Sequence, residues 1–193
     1  MMHRSRVRTW QLWALATLFL GPLAAAFWLH FGLEWRPQAT TNHGQLVSPA
    51  APLPAVPLPT PEGDLTDPQF LRGQWSLVYV GGNACDAACR EELREARQVR
   101  LALGRLMDHL QRVYLYGGAP PDSEWLAAEH PDLLAANLEG ADGSRLRDAL
   151  PSRKPGYWLV DPDGNAMMRY EPDVRPKDML DDVKTLLRGG PGG

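Results

Sequence analysis

The 193-residue chain carries 20 Lys and Arg against 23 Asp and Glu, a formal charge of −3. Arg4, Arg6, Arg8 and Arg36 all precede residue 37 with only Glu34 against them. The remainder is therefore more acidic than the total and lacks the basic stripe of a nucleic-acid binder. Two cysteines exclude a disulfide framework, so the fold must rest on a hydrophobic core, and the length suits one domain with appendages.

Residues 1–9 form a short basic stub. From Trp10 to Leu33 there are 24 residues without Asp, Glu, Lys or Arg. As a helix this run would extend roughly 36 Å, enough to cross a bilayer with some tilt. Trp10 and Trp13 at one end, with Trp28, Phe31 and Trp35 at the other, suit an interfacial aromatic belt. We therefore read 10–35 as a single transmembrane anchor. A cleaved signal peptide ending at Ala24-Ala25-Ala26 is the competing reading, but the apolar run continues for seven residues past Ala26. The arginines ahead of the span place the amino terminus in the cytoplasm and the rest on the exported, periplasmic side of the inner membrane.

Residues 36–63 contain Pro37, Pro49, Pro52, Pro54, Pro57, Pro59 and Pro61 and read as an extended, polyproline-like linker. Its less proline-rich piece, Thr41 to Val47, is the part able to dock onto the domain. The domain itself is expected over 64–188, with a Gly-rich tail at 189–193.

Leu77-Val-Tyr-Val80, bounded by Gly81-Gly82, reads as a central strand. A helix from about Cys85 to near Leu110 follows, with the stripe Cys89, Leu93, Ala96, Val99, Leu103, Leu106 and Leu110. Arg112 to Tyr116 is a second strand, parallel to the first. Asp122-Ser123 caps a helix that breaks near Pro131, and a short helix is expected around Leu133–Leu138. Gly140 to Pro151 reads mostly as loop, with one helical turn at 145–149. Tyr157 to Val160 is a third strand, Asp161-Pro-Asp-Gly164 a turn, and Ala166 to Tyr170 the antiparallel return strand. Pro176 opens the last helix. This order predicts an α/β, thioredoxin-like three-layer domain preceded by one transmembrane helix and a Pro-rich linker.

Cys85 and Cys89 stand four apart where the first strand turns into the first helix. On a helix that spacing puts both sulfurs on one face with Cα atoms about 6 Å apart, inside the range a disulfide tolerates. The same thiolates could instead hold one soft cation such as Cu(I). A helix amino terminus favours thiolate, the form that exchanges disulfides and binds soft metals. His130, His109, Met167, Met168 and His43 are the further candidate ligands, with His130 entering the site only if its loop folds over it. Of Met167 and Met168, alternation puts one in the core and the other outside. Arg153 and Lys154 would bring positive charge toward the thiols, and Lys154-Pro155 is a candidate cis peptide ahead of the third strand.

The run from Trp75 to Cys89, with Tyr157-Trp-Leu-Val-Asp-Pro-Asp-Gly164 far downstream, resembles the Sco/SenC family over roughly residues 64–188. The resemblance implies a membrane-anchored, thioredoxin-fold factor for assembling the copper centre of cytochrome c oxidase. It also implies Cys85 and Cys89 as the site residues, Cu(I) as the ion, and an oxidase subunit or its assembly factors as partners. Two departures stand out: Arg90 occupies the position where that family carries proline, and Ser152 to Gly156 lacks the histidine that supplies its third copper ligand. Three functions follow: an assembly factor that binds Cu(I) or reduces target cysteines, a non-catalytic module with a structural disulfide, or a general thiol oxidoreductase. No nucleotide-binding loop, hydrolase nucleophile elbow or zinc-type ligand set is present in the sequence.

Overall fold

The computed structural model describes residues 10–11, 13–22, 27, 42–82 and 84–189, and the chain divides into two units, Met1–Thr41 and Asn42–Gly193. In the first unit residues 10–11, 13–22 and 27 are helical. The expected anchor over 10–35 falls largely on residues outside those described, as do 36–41 and the tail from 190. Among the described residues no helix is long and apolar enough to cross a membrane.

The second unit is built on a six-stranded sheet, and its strands lie in the order β1-β6-β5-β2-β3-β4. They are β1 (Gln45–Pro52), β2 (Trp75–Val80), β3 (Leu110–Tyr116), β4 (Leu133–Asn137), β5 (Gly156–Val160) and β6 (Asn165–Tyr170). The helices are α1 (Ala87–Ala102), α2 (Ser123–Glu129), α3 (Gly140–Ala149) and α4 (Pro176–Gly189). β2 pairs parallel with β3 and antiparallel with β5, and β5 pairs antiparallel with β6. Period-two alternation on β2 divides the core. Leu77 and Tyr79 join the side holding Cys89, Leu93 and α4, whereas Val78 and Val80 join the side holding Leu53, Val56, Leu58 and Leu146.

The proline-rich stretch departs from the expected spacer. From Gln45 it forms an edge strand against β6, and Leu53, Val56 and Leu58 beyond it are at most 3% exposed. Proline is tolerated on a sheet edge, where its missing N–H faces no partner. The apolar residues between the prolines then have a sheet face to cover. The domain accordingly starts at Asn42 instead of residue 64.

Three local expectations also change. Residues 133–137, expected as helix, form a strand in parallel register with β3; tertiary pairing overrides the helix propensity of Leu-Leu-Ala-Ala. Residues 140–149, expected mostly as loop with one helical turn at 145–149, are helical throughout, with Leu146 fully buried. Gly143 is required there, since a Cβ would lie 2.3 Å from the Leu138 carbonyl carbon. The first helix stops at Ala102, a 3₁₀ turn spans Gly104–His109, and Gly104 takes the left-handed φ of 59° that ends the α-helix.

Candidate functional site

The site sits where β2 gives way to α1. β2 is buried along Ser76–Val80, and its carboxyl end is tied to β3 by Gly81 N–H donating to Leu115 O at 2.9 Å. Cys85 precedes the helix, Asp86 caps it, and the Asp86 carboxylate accepts from Cys89 N–H at 2.9 Å. The cysteines are thus not on one helical face: Cys85 belongs to the turn and Cys89 to the first helical turn. They are joined in a disulfide with a Cα separation of 5.1 Å. Cys85 is half-buried and Cys89 is buried, 5% exposed. The two cysteines therefore differ in exposure, with Cys85 the more accessible residue of the pair.

Beneath Cys89 lies a group of tyrosines that sequence reading treated only as strand formers. Tyr114 O–H lies 3.4 Å from Cys89 Sγ and donates to it. Gly81 makes room, because a Cβ there would lie 2.8 Å from the Tyr114 ring. Tyr79 stacks on Tyr114 with centroids 5.8 Å apart and contacts Tyr157 at 5.0 Å, and Tyr116 flanks Tyr114 at 5.7 Å. Burial first, then the carboxylates of Glu92 and Asp86, pushes Tyr79 up to about 12. Burial pushes Tyr114 and Tyr157 further up. All three phenols stay protonated, and Tyr157 O–H donates to Glu92 O at 2.6 Å. The signal that could have found them is alternation: Tyr79, Tyr114 and Tyr116 share the core side that holds Cys89.

Arg90, in the position after Cys89, lies over the Trp125 ring at 4.9 Å. Trp125 meets the His130 ring edge-on at 4.8 Å. His130 is 2% exposed and its Nδ1 lies 3.4 Å from an Arg112 nitrogen. Arginine only donates, so Nδ1 accepts and the imidazole is neutral. Burial, then the Arg112 charge, holds its pKa below the usual histidine range. Arg112 is itself buried and pairs with Asp132 at 2.5 Å.

The structure therefore gives His130 a place in a Trp125–Arg112–Asp132 network in which His130 and Arg112 are buried. His109 is exposed at the end of the 3₁₀ turn. Met168 is buried in the core and Met167 half-exposed, as alternation requires. His43 packs on α4, where its Nδ1 lies 3.2 Å from Asp182. Among the described residues no three His, Cys, Asp or Glu side chains gather into a group able to hold a metal ion. Reduced Cys85 and Cys89 could supply two sulfurs, but this donor set does not fit a three-ligand copper centre.

The loop ahead of β5 does approach the cysteine turn: Ser152, Arg153 and Pro155 line a cavity of about 280 Å³ together with Gly81 and Gly82. Its positive charge is engaged elsewhere, however, with Arg153 paired to Asp148 at 2.6 Å. Lys154-Pro155 is trans; the cis bond among the described residues is Ser48-Pro49.

The family model that matches the chain is described as transmembrane-like, thioredoxin-like, C-terminal domain, and it covers residues 75–189. No curated protein matches the sequence. Among solved structures, the chain is similar to the apo Sco1 protein of Thermus thermophilus, at 16% identity and a TM-score of 0.59, covering 78% of this chain and 98% of that one. It is similar to yeast Sco1 with copper bound, at 18% identity and a TM-score of 0.58, covering 72% and 94%. It is also similar to a secreted Mycobacterium tuberculosis disulfide oxidoreductase homologous to E. coli DsbE, at 17% identity and a TM-score of 0.51, covering 68% and 96%. At these identities the likeness shows the thioredoxin-like fold.

Proposed function

The chain belongs to the family of transmembrane-like, thioredoxin-like C-terminal domains, and on that premise we propose that it is a membrane-anchored thiol–disulfide exchange factor serving respiratory oxidase assembly on the exported side. The observation that carries the chemistry is the unequal pair: half-buried Cys85 bonded to buried Cys89, with Tyr114 O–H on the Cys89 sulfur. The apolar run from Trp10 to Leu33 supports the anchor, and the arginines ahead of it support the exported orientation.

In this reading the reduced protein presents Cys85 as the attacking thiolate. Its sulfur bonds to one sulfur of a client disulfide, and the other client sulfur leaves as a thiolate. Buried Cys89 then attacks Cys85 Sγ, breaking the mixed disulfide and releasing the second client thiolate. The client gains two electrons, and the protein ends in the Cys85–Cys89 disulfide seen here. An upstream exported dithiol protein returns it to the reduced form. A second reading, Cu(I) as cargo on the two thiolates, draws on the likeness to copper-bound Sco1; with no third donor gathered among the described residues, no step is built on it.

The test uses the full chain. Cys89→Ser should accumulate a mixed disulfide with a model disulfide client through Cys85, and Cys85→Ser should not. Cells carrying the double serine variant should show reduced oxidase activity at normal protein abundance. A double variant that supports full oxidase activity, together with no trapped adduct, overturns the exchange reading and leaves a structural disulfide. Copper retained by the reduced chain and lost in the double variant would instead establish the cargo reading.

A further inference from the structure

The cavity against Gly81 and Gly82 measures about 280 Å³, just below the roughly 300 Å³ at which small-molecule sites begin. That size suits one side chain better than a free metabolite. Arg147 and Leu150 line it from the end of α3, Val80 to Gly82 from the end of β2, and Ser152, Arg153 and Pro155 from the loop ahead of β5. Gly82 stands three residues before Cys85, a reach of at most about 11 Å. A Cβ at Gly82 would meet nothing within 4 Å, so the lining is open at that end. A peptide whose sulfur bonds to Cys85 can therefore lay the residues beside its own cysteine on this cavity.

Charge selects the side chain. Two arginines line the cavity, and no Asp or Glu does. Arg153 is answered from outside the lining by Asp148, at 2.6 Å. Arg147 is not. Half-buried, it donates from Nη2 to Leu138 O at 3.4 Å, and among the described residues it has no carboxylate partner. Its Nε–H and Nη1–H lack acceptors there, and neither nitrogen is sealed from solvent, so an incoming group can reach them. A guanidinium only donates and keeps its charge, and its fork matches a carboxylate. The Ser152 hydroxyl accepts from Lys154 N–H at 3.3 Å and keeps its own proton to give. Val80, Leu150 and Pro155 supply apolar wall, which suits the methylenes of an acidic side chain.

We propose that this cavity is a client-recognition pocket for an aspartate or glutamate lying within about three residues of the client cysteine that bonds to Cys85, with Arg147 as the counter-charge. This role rests on the exchange reading and gives it a client class: proteins acidic beside the reacting cysteine.

The full chain carrying Cys89→Ser, held in a non-ionic detergent, is mixed with short alanine-based peptides whose one cysteine bears a 2-pyridyl disulfide. The Cys85 thiolate bonds to the peptide sulfur and pyridine-2-thione leaves, so its release times the reaction. The peptides differ only in carrying Glu, Gln or Lys two residues to either side of the cysteine. The Glu peptide should react about fivefold faster than the Gln peptide, the size of a partly exposed ion pair, and the margin should shrink with salt. Arg147→Lys should keep that order, and Arg147→Gln should bring the two rates together. Arg147→Glu should put the Lys peptide first, a gain that a folding defect cannot produce. No release with any peptide overturns the exchange reading, and the pocket's role with it. Equal release from the Glu and Gln peptides, or an order that Arg147→Glu leaves as it was, overturns the pocket's role alone.

Discussion

The Tyr114 hydroxyl lies 3.4 Å from Cys89 Sγ, reaching from the third strand of the chain to the first turn of its first long helix. The contact exists because Gly81 leaves the ring its space. It matters for redox balance, since an O–H donor stabilises a thiolate more than a disulfide sulfur.

Tyr114→Phe should therefore make the pair more reducing. Removing a donor to a charged sulfur is worth about 1–2 kcal/mol, which lowers the potential by roughly 20–40 mV for a two-electron couple. Equilibration of the full chain against glutathione or thioredoxin redox buffers measures it. A potential unchanged or raised in Tyr114→Phe would show that the hydroxyl does not act on the sulfur.

Asp86 works in the opposite sense. Its carboxylate accepts from Cys89 N–H and puts a negative charge beside both sulfurs, disfavouring thiolate. Asp86→Asn keeps the helix cap but removes the charge, so the reduced form gains and the potential rises by about 10–30 mV. The rise should shrink with added salt, as screening of a partly exposed charge requires. A shift of the same sign as Tyr114→Phe would rule this account out.

His130 makes stability depend on pH. Its folded-state pKa is lowered, by burial and then by Arg112, so the native state holds it neutral. Below the ordinary value of about 6.5 the unfolded chain binds the proton and the folded one resists it, so stability falls as pH drops from about 7 toward 5. Asp132, lowered because its Arg112 hydrogen bond and charge outweigh burial, adds a further loss only below the usual carboxylate range. His130→Gln should flatten the upper part of that slope and leave the lower part. Urea melts of both proteins at several pH values check it, and an unchanged slope near pH 6 would remove His130 as its source.

Much of this was legible in the sequence because it rests on period and punctuation. The Leu77–Val80 run, the Gly81-Gly82 turn, the α1 stripe and the Asp161–Gly164 hairpin all declare themselves locally. What was not legible depends on partners far along the chain. β4 is a strand only because β3 offers it an edge, and residues 140–149 are a helix only because Leu146 has a core to enter. Leu53, Val56 and Leu58 looked like linker because proline dominates the local pattern, while the surface they cover comes from strands some hundred residues later. The cysteine pair could be placed from the sequence, and alternation puts Tyr114 on its side of the sheet, but nothing local distinguishes a tyrosine that meets a sulfur from one that packs.

The first residues of the domain are held by one buried carboxylate. Asp182 of α4, 3% exposed, accepts from His43 N–H at 2.9 Å and Gly44 N–H at 3.0 Å. It also meets His43 Nδ1 at 3.2 Å and the Tyr170 hydroxyl at 3.3 Å. Gly44 can be nothing larger, because a Cβ there would lie 2.5 Å from Met168 and Tyr170 atoms. Asp182→Ala strands several buried donors at once and should cost about 2–4 kcal/mol. The loss should centre on β1, an edge strand held on one side only, so its amides should exchange with solvent faster than those of β2 and β3. Asp182→Asn keeps acceptor capacity but not the charge and should fall between the two. Hydrogen exchange resolved by element decides the matter: protection lost evenly across the sheet would mean that Asp182 supports the whole domain, whereas loss confined to β1 makes it the clasp that fixes where the domain begins.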